Sequence, residues 1–146
     1  MRARVPVALV SVIALVAVGC SSGATQAPAA PAGEPKAAIS AELSEWQIKL
    51  DSNTGKAGTI TFTIQNKGEE THEFVVVKTD SAADKLPVVE DKVPEDQLTP
   101  VDEVEDITVG STETLTIEGL EAGHYVVLCN LLGHYGKGMY ADLTVK

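Results

Sequence analysis

The fold is indicated most clearly by residues 125–145, Tyr125-Val-Val-Leu-Cys129-Asn-Leu-Leu-Gly-His134-Tyr-Gly-Lys-Gly-Met139-Tyr-Ala-Asp-Leu-Thr-Val145. This stretch opens with four apolar residues, typical of a buried strand, and closes with the apolar–polar alternation of a half-buried strand. Three glycines lie in the loop between them, so the chain can turn sharply there. Met139 has the parity of Leu143, which places it on the inward face. The stretch therefore predicts two strands joined by a loop that brings its side chains together.

The same period of two recurs along most of the chain beyond about residue 40. Further alternating segments lie at 46–50, 59–65 and 114–118, and Phe74–Val77 is apolar throughout. Turn signals rich in Gly and Asn separate them, and no long helical period appears. These features predict an all-β fold, an antiparallel sandwich or barrel.

The stretch from Asp80 to Pro100 breaks this pattern, because it holds three prolines and many acidic residues. Ser81-Ala82-Ala83-Asp84 favours a short helical turn within it. We interpret the stretch as a long, solvated crossover between two sheets. The alternative is a segment that docks a partner.

The first twenty residues have the pattern of an export signal. Arg2 and Arg4 form a basic head, and the apolar run that follows is shorter than the roughly 20 residues of a membrane span. Ala17-Val-Gly-Cys20 resembles the lipobox of bacterial lipoproteins, in which the Cys is acylated and becomes the new N-terminus. We therefore predict a lipoprotein signal peptide over 1–19 and a lipid anchor on Cys20. A plain signal peptide is the alternative.

An Ala/Pro-rich linker and one acidic domain are predicted beyond the signal. Residues 20–37 are too poor in large apolar side chains to fold, whereas 38–146 is long enough for a core of its own. All 21 acidic residues and all nine lysines follow position 20, so this part carries 9 − 21 = −12 with neutral histidines. Such a charge excludes nucleic acid as a partner and suits a basic protein.

Four side chains with nitrogen or sulfur donor atoms form the pattern that indicates a metal site. Four residues separate Cys129 from His134, and four separate His134 from Met139, while His72 opens a strand 57 residues before Cys129. If Cys20 is acylated, Cys129 has no partner for a disulfide. One thiolate, two imidazoles and a thioether suit a copper ion that must be stable in both oxidation states. We predict one type 1 copper ion held by these four residues.

The third histidine is not expected to take part. His124 lies five residues before Cys129, which is about 16 Å along an extended strand. That distance is too long for both side chains to bind one ion. We interpret His124 as a surface residue.

The residues from about 40 to 146 resemble a bacterial cupredoxin of the plastocyanin/azurin superfamily. The resemblance lies in the stretch from Gly123 to Met139 and in Asn66-Lys-Gly-Glu-Glu-Thr-His72-Glu-Phe. The ligand loop has the longer spacing of rusticyanin, sulfocyanin and stellacyanin. The resemblance implies a Greek-key β-sandwich, copper ligation by the four residues above, and transfer of single electrons. Glu73 departs from the pattern, because many members have Asn or Ser there to brace the loop.

The predicted function is one-electron transfer between extracytoplasmic redox partners, of cytochrome or oxidase type, by a lipid-anchored monomer. The edge of His134 is the predicted electron port, surrounded by a mostly apolar docking patch of Leu131, Leu132, Gly133, Tyr135 and Gly136. A small apolar patch suits brief encounters. Copper trafficking or buffering with the same ligands is the alternative. An enzyme is not expected, because three histidines are too few for the extra copper centres of multicopper oxidases.

Overall fold

The computed structural model describes residues 35–94, 96 and 98–146, and these residues belong to one compact unit. The signal peptide and Cys20 predicted from the sequence lie outside them. No helix in the described part is long and apolar enough to cross a membrane. Short 3₁₀ turns at Ala83–Lys85 and Tyr135–Lys137 accompany the strands. The strands are β1 (Ala38–Ser44), β2 (Gln47–Leu50), β3 (Thr54–Gly55), β4 (Gly58–Asn66), β5 (His72–Lys78), β6 (Thr99–Ile107), β7 (Thr112–Leu120), β8 (Gly123–Leu128) and β9 (Tyr140–Val145).

The strands form two sheets that pack on a shared core. One sheet has the order β2-β1-β4-β7, and the other has the order β3-β9-β8-β5-β6. The chain leaves the first sheet for the short strand β3 and returns at β4, and it changes sheet again between β4 and β5, between β6 and β7, and between β7 and β8. The predicted all-β, Greek-key β-sandwich is confirmed.

The period of two explains how the core forms between the sheets. On β4, Ile60, Phe62 and Ile64 are fully buried, and their polar neighbours point away from the core. The Phe62 ring lies 5.4 Å from the ring of Phe74 on β5, so the two sheets meet through these aromatic side chains. Strand β5 is buried on both faces, which is why Phe74–Val77 shows no alternation.

The stretch from Asp80 to Pro100, predicted as a solvated crossover between two sheets, is instead the connection between β5 and β6. It joins two neighbouring strands of the same sheet rather than two sheets. It is also packed, because Ala83, Leu86 and Val93 are buried in a second apolar cluster with residues of β5 and β8. These apolar residues are widely spaced among charges and prolines, so no period marks them in the sequence. The short turn forms at Ala83–Lys85 as predicted.

Strand β6 is not predicted by the sequence pattern. Within Thr99–Ile107, Ile107 is buried and Val104 is half-buried, while the other side chains are exposed. The strand is formed by backbone pairing with β5, from His72 opposite Ile107 to Lys78 opposite Thr99. Because the pairing uses backbone groups, an acidic segment can form an edge strand without any alternation of apolar residues.

Candidate metal centre

The ligand loop between β8 and β9 closes on itself through its backbone. Cys129 follows the last residue of β8, and its N–H donates to the carbonyl of Met139 at 3.0 Å. The N–H of Met139 in turn donates to the carbonyl of His134 at 3.2 Å. Gly133 and Gly138 have φ of 79° and 110°, which other residues rarely adopt. The glycines thus allow the turns that fold Cys129, His134 and Met139 into one compact loop.

His72, Cys129 and His134 converge at one end of the sandwich. Their ligand nitrogen and sulfur atoms all lie within 4.8 Å of one another. Cys129 Sγ lies 3.3 Å from His134 Nδ1, and the two imidazole centroids are 5.3 Å apart. Met139 is fully buried in the same apolar cluster as Cys129. The first residue of β5 and the loop after β8 therefore supply an enclosed group of donors.

The hydrogen bonding of His72 shows that the donor group fits a metal ion. Both ring nitrogens of His72 are buried, and neither has a hydrogen-bond partner among the described residues. Buried polar side chains are nearly always hydrogen-bonded, so such a ring indicates a missing partner. Imidazole nitrogen beside a cysteine sulfur is a donor set that suits copper.

Burial shapes the protonation of two members of the group. It raises the pKa of the Cys129 thiol, and the backbone N–H groups of Glu73 and Leu131 lower it by less. Burial also lowers the pKa of the His134 imidazole, and the neighbouring His72 lowers it further. The site therefore favours a neutral thiol and a neutral His134 ring. A cation bound there would be needed to hold the thiolate.

The loop that carries His72 is braced by Asn66, which opens the resemblance segment in the sequence but was given no role there. The side-chain nitrogen of Asn66 donates to the carbonyls of Glu70 and Ile107, both at 2.8 Å. Its oxygen accepts from the N–H of Gly68 at 2.9 Å. Glu73 contributes its backbone N–H, which lies 3.4 Å from Cys129 Sγ. The bracing of this loop thus involves Asn66 as well as the residue after His72.

Tyr135 does not belong to the exposed surface that was predicted as a docking patch. Its side chain is buried, and its hydroxyl donates to the carbonyl of Ala83 at 2.7 Å and accepts from the N–H of Leu86 at 3.0 Å. It therefore fastens the ligand loop to the β5–β6 connection instead of facing a partner. Leu132 and Gly136 are exposed, while Leu131 and Gly133 are half-buried.

Less of the His134 imidazole is exposed than the sequence suggested. Its side chain is only 9% exposed, and the Trp46 ring packs edge-on against it at 4.9 Å between centroids. Lys137 Nζ lies 3.5 Å from the centre of the Trp46 ring. Sequence reasoning assigned Trp46 only to a strand, because nothing in its local pattern points to the distant ligand loop.

His124 lies outside the donor group, as expected, but it is not a free surface residue. Its Nδ1 lies 2.7 Å from the carbonyl oxygen of Thr79, and its Nε2 lies 3.0 Å from Asp142 Oδ1. The same carboxylate oxygen accepts from the N–H of Ala83 at 2.8 Å. His124 is therefore part of a polar cluster that fastens the β5–β6 connection to β8 and β9.

The family of the chain is shown by its match to a family model. Residues 43–146 match the model described as the sulfocyanin (SoxE) domain. The chain belongs to the sulfocyanin family. Sulfocyanins are blue copper proteins of the cupredoxin fold, so the predicted family and the predicted cofactor, one type 1 copper ion, are confirmed. Proteins of this kind carry electrons and are not enzymes, and they are typically extracytoplasmic.

Solved structures show the same fold as this sulfocyanin-family chain. Reduced auracyanin from Roseiflexus castenholzii has a TM-score of 0.58 at 24% identity, covering 77% of this chain and 98% of that one. Auracyanin A, a "blue" copper protein from Chloroflexus aurantiacus, has a TM-score of 0.52 at 22% identity, covering 75% and 99%. Rusticyanin from Thiobacillus ferrooxidans has a TM-score of 0.53 at 19% identity, covering 75% and 76%. No curated protein matches the chain.

Proposed function

We propose that this protein is an extracytoplasmic one-electron carrier whose copper is held by His72, Cys129, His134 and Met139. The observation that carries the proposal is the convergence of three of these donors within 4.8 Å in a buried pocket of a sulfocyanin-family fold. Copper bound there supplies the Cu(II)/Cu(I) couple. Cys129 gives up its proton on binding, the two imidazoles bind as neutral rings, and the Met139 thioether is a weak fourth donor.

The protein's contribution is to hold these donors still and to keep water out. Three donors sit in a loop closed by its own hydrogen bonds, and His72 is anchored at the start of a strand that is buried except at its last residue. A site fixed in this way changes little between oxidation states, so electron transfer requires little rearrangement. The thin exposed edge of His134 is the proposed electron port, and exposed Leu132 and Gly136 beside it form the reduced docking patch for a cytochrome or oxidase.

A Cu(II) titration of the purified full-length protein, followed by visible absorption and EPR, tests this function. We expect an intense blue or green charge-transfer band that saturates at one equivalent of Cu(II). The EPR spectrum should show narrow copper hyperfine splitting, and ascorbate should bleach the band. Cys129→Ala should abolish the band. His124→Ala is the matched control, because it removes a histidine outside the donor group and should leave the band intact. Colourless binding by the unaltered protein would contradict the proposal.

Copper trafficking is the alternative use of the same donors, and competition with a chelator separates the two. All four donor residues are buried, which favours a protein that retains its metal over one that hands it on. We therefore expect a colourless high-affinity chelator to remove copper over hours rather than seconds. Removal within the mixing time would favour the trafficking function.

We further propose that residues 1–19 are a lipoprotein signal peptide and that 20–37 is a linker carrying a lipid on Cys20. The basic head, short apolar run and Cys20 support this arrangement. Mass spectrometry of the protein expressed in a bacterium should find a diacylated N-terminal cysteine. Cys20→Ala should leave the copper spectrum unchanged and abolish acylation. An N-terminus at any other residue would contradict the anchor.

A further inference from the structure

The carboxylate of Glu45 faces the outer nitrogen of His72. Oε1 of Glu45 lies 3.4 Å from His72 Nε2, close enough for electrostatic attraction but longer than a formed hydrogen bond. The His72 side chain is fully buried, whereas the Glu45 side chain is 29% exposed. A carboxylate from a turn at the surface thus faces a ring whose nitrogens have no hydrogen-bond partner among the described residues.

Two features of the fold hold the Glu45 carboxylate in place: the pairing of β1 with β4, and hydrogen bonds from the loop before His72. Strand β1 runs parallel to β4, with Leu43 opposite Asn66, and the N–H of Lys67 donates to the carbonyl of Leu43 at 2.8 Å. This pairing brings the turn after β1 against the loop before His72. Glu45 Oε1 then accepts from the N–H groups of Glu69 at 2.7 Å and Glu70 at 3.0 Å.

Gly68 provides the room that the carboxylate needs. A Cβ added at Gly68 would lie 2.3 Å from Glu45 Oε1 and 2.9 Å from its Cδ, so any side chain there would displace the carboxylate. The backbone of Gly68 does not have the left-handed conformation that would demand glycine. Space for Glu45 is therefore the physical reason for a glycine at this position.

We propose that Glu45 is a positioning residue for copper: it accepts the Nε2–H of His72 and so leaves Nδ1 of that ring as the metal donor. A histidine that binds a metal through one nitrogen usually donates the other N–H to such an acceptor, which fixes the tautomer and the ring orientation. The carboxylate also places a negative charge beside the ligand, which stabilises Cu(II) more than Cu(I). The inference rests on the proposed ligation by His72.

Three substitutions separate the charge of Glu45 from its bracing of the loop. Glu45→Ala removes both, and we expect Cu(II) binding to weaken about 10- to 100-fold, as for other acceptors of metal-bound histidines. Cu(I) binding should weaken less, so the reduction potential should rise. Glu45→Gln keeps an oxygen for the two backbone N–H groups and should still raise the potential. Glu42→Gln is the control, because it removes an equal charge from neighbouring β1, where Glu42 pairs with Lys67.

A fourth variant displaces the carboxylate without deleting it. Gly68→Ala keeps every charge in the molecule but fills the space that Glu45 occupies. We expect it to reproduce most of the loss of Cu(II) affinity seen in Glu45→Ala. If Glu45→Ala and Glu42→Gln have the same reduction potential, or if Gly68→Ala binds Cu(II) as the unaltered protein does, the inference is wrong.

The tautomer of His72 gives a readout that needs no copper. Long-range ¹H–¹⁵N NMR of the histidine-labelled protein, recorded before any metal is added, should show the proton of His72 on Nε2. A proton on Nδ1 would overturn the role of Glu45, even if the unaltered protein forms a blue copper site. Conversely, an Nε2–H tautomer in a protein that gives no charge-transfer band would sink the proposed function and leave the contact between Glu45 and His72 standing.

Discussion

The protonation state of the Cys129 thiol depends on a bound cation. The residue is fully buried, and burial raises the pKa of its thiol above the ordinary value of 9.0. The backbone N–H of Glu73 at 3.4 Å is too weak a donor to reverse that effect. At neutral pH the thiol therefore keeps its proton until a metal replaces it.

The apparent affinity for Cu(II) should rise with pH between about 6 and 8. The Cys129 thiol, with its raised pKa, must release one proton on binding, whereas the lowered pKa of the His134 imidazole reduces the share of protons that this ring releases. One released proton corresponds to about a tenfold gain in affinity per pH unit. Chelator competition across this range measures the slope. A slope near zero would mean that Cys129 is already a thiolate or is not a ligand.

Met139→Leu should keep the fold and change the redox chemistry. Leu and Met have similar volumes, so this substitution of a fully buried side chain should cost less than about 1.5 kcal/mol of unfolding free energy. Losing the thioether removes a weak donor that favours Cu(II), so we expect a higher reduction potential. Voltammetry and thermal unfolding of the same sample provide both measurements. An unchanged potential would show that Met139 only packs the core.

At the scale of elements, the ligand loop depends on a segment far away in sequence. The hydroxyl of Tyr135 is hydrogen-bonded to the backbone of Ala83 and Leu86. The side-chain oxygen of Asn130 accepts from the N–H of Val93 at 2.7 Å. The N–H of Gly133 donates to the backbone carbonyl of Asp91 at 2.9 Å. The β5–β6 connection therefore acts as a brace along the outside of the loop. It is a structural part of the metal centre, although it supplies no ligand.

Tyr135→Phe should weaken this brace without touching a ligand. The substitution leaves the buried N–H of Leu86 without its acceptor, which should lower the unfolding free energy by about 1–3 kcal/mol. Tyr140→Phe is the matched control, because that ring packs 5.0 Å from Tyr135 and is half-buried. Urea unfolding of both variants tests the difference. Equal stabilities would show that the hydroxyl of Tyr135 adds nothing to the fold.

At the scale of the whole molecule, stability comes from the core between the sheets. Phe62 on β4 and Phe74 on β5 are both fully buried and contact each other from opposite sheets. The donor group lies at one end of this core, since Cys129 and Met139 belong to the same cluster. Packing that joins the sheets therefore also fixes the geometry of the site.

Phe62→Ala should cost about 3–5 kcal/mol of unfolding free energy, because it leaves a cavity where the sheets meet. Val88→Ala, at a position 48% exposed on the β5–β6 connection, should change it by less than about 0.5 kcal/mol. Chemical denaturation of the two variants makes the comparison. A loss below 1 kcal/mol for Phe62→Ala would contradict the account of the core.

Local patterns were enough to predict the sandwich and to single out the three side chains, those of His72, Cys129 and His134, that the fold brings together. Alternation marks β4, β7 and β9 because one face of each strand is buried, and the Cys-His-Met loop is short enough to be seen as a unit. His72 was recognisable because it opens an apolar strand after a turn. In each case the signal lies within a dozen neighbouring residues, so the sequence alone determines it.

Tertiary structure alone decided the surroundings of the site. Glu45 meets His72 because β1 and β4 pair in parallel, and Tyr135 is buried because a distant connection folds over it. Strand β6 exists through backbone pairing, which leaves no apolar period in Thr99–Ile107. Hydrogen bonds between residues far apart in sequence leave no periodic mark, so neither the brace nor the acidic neighbour of His72 could be predicted before the chain was folded.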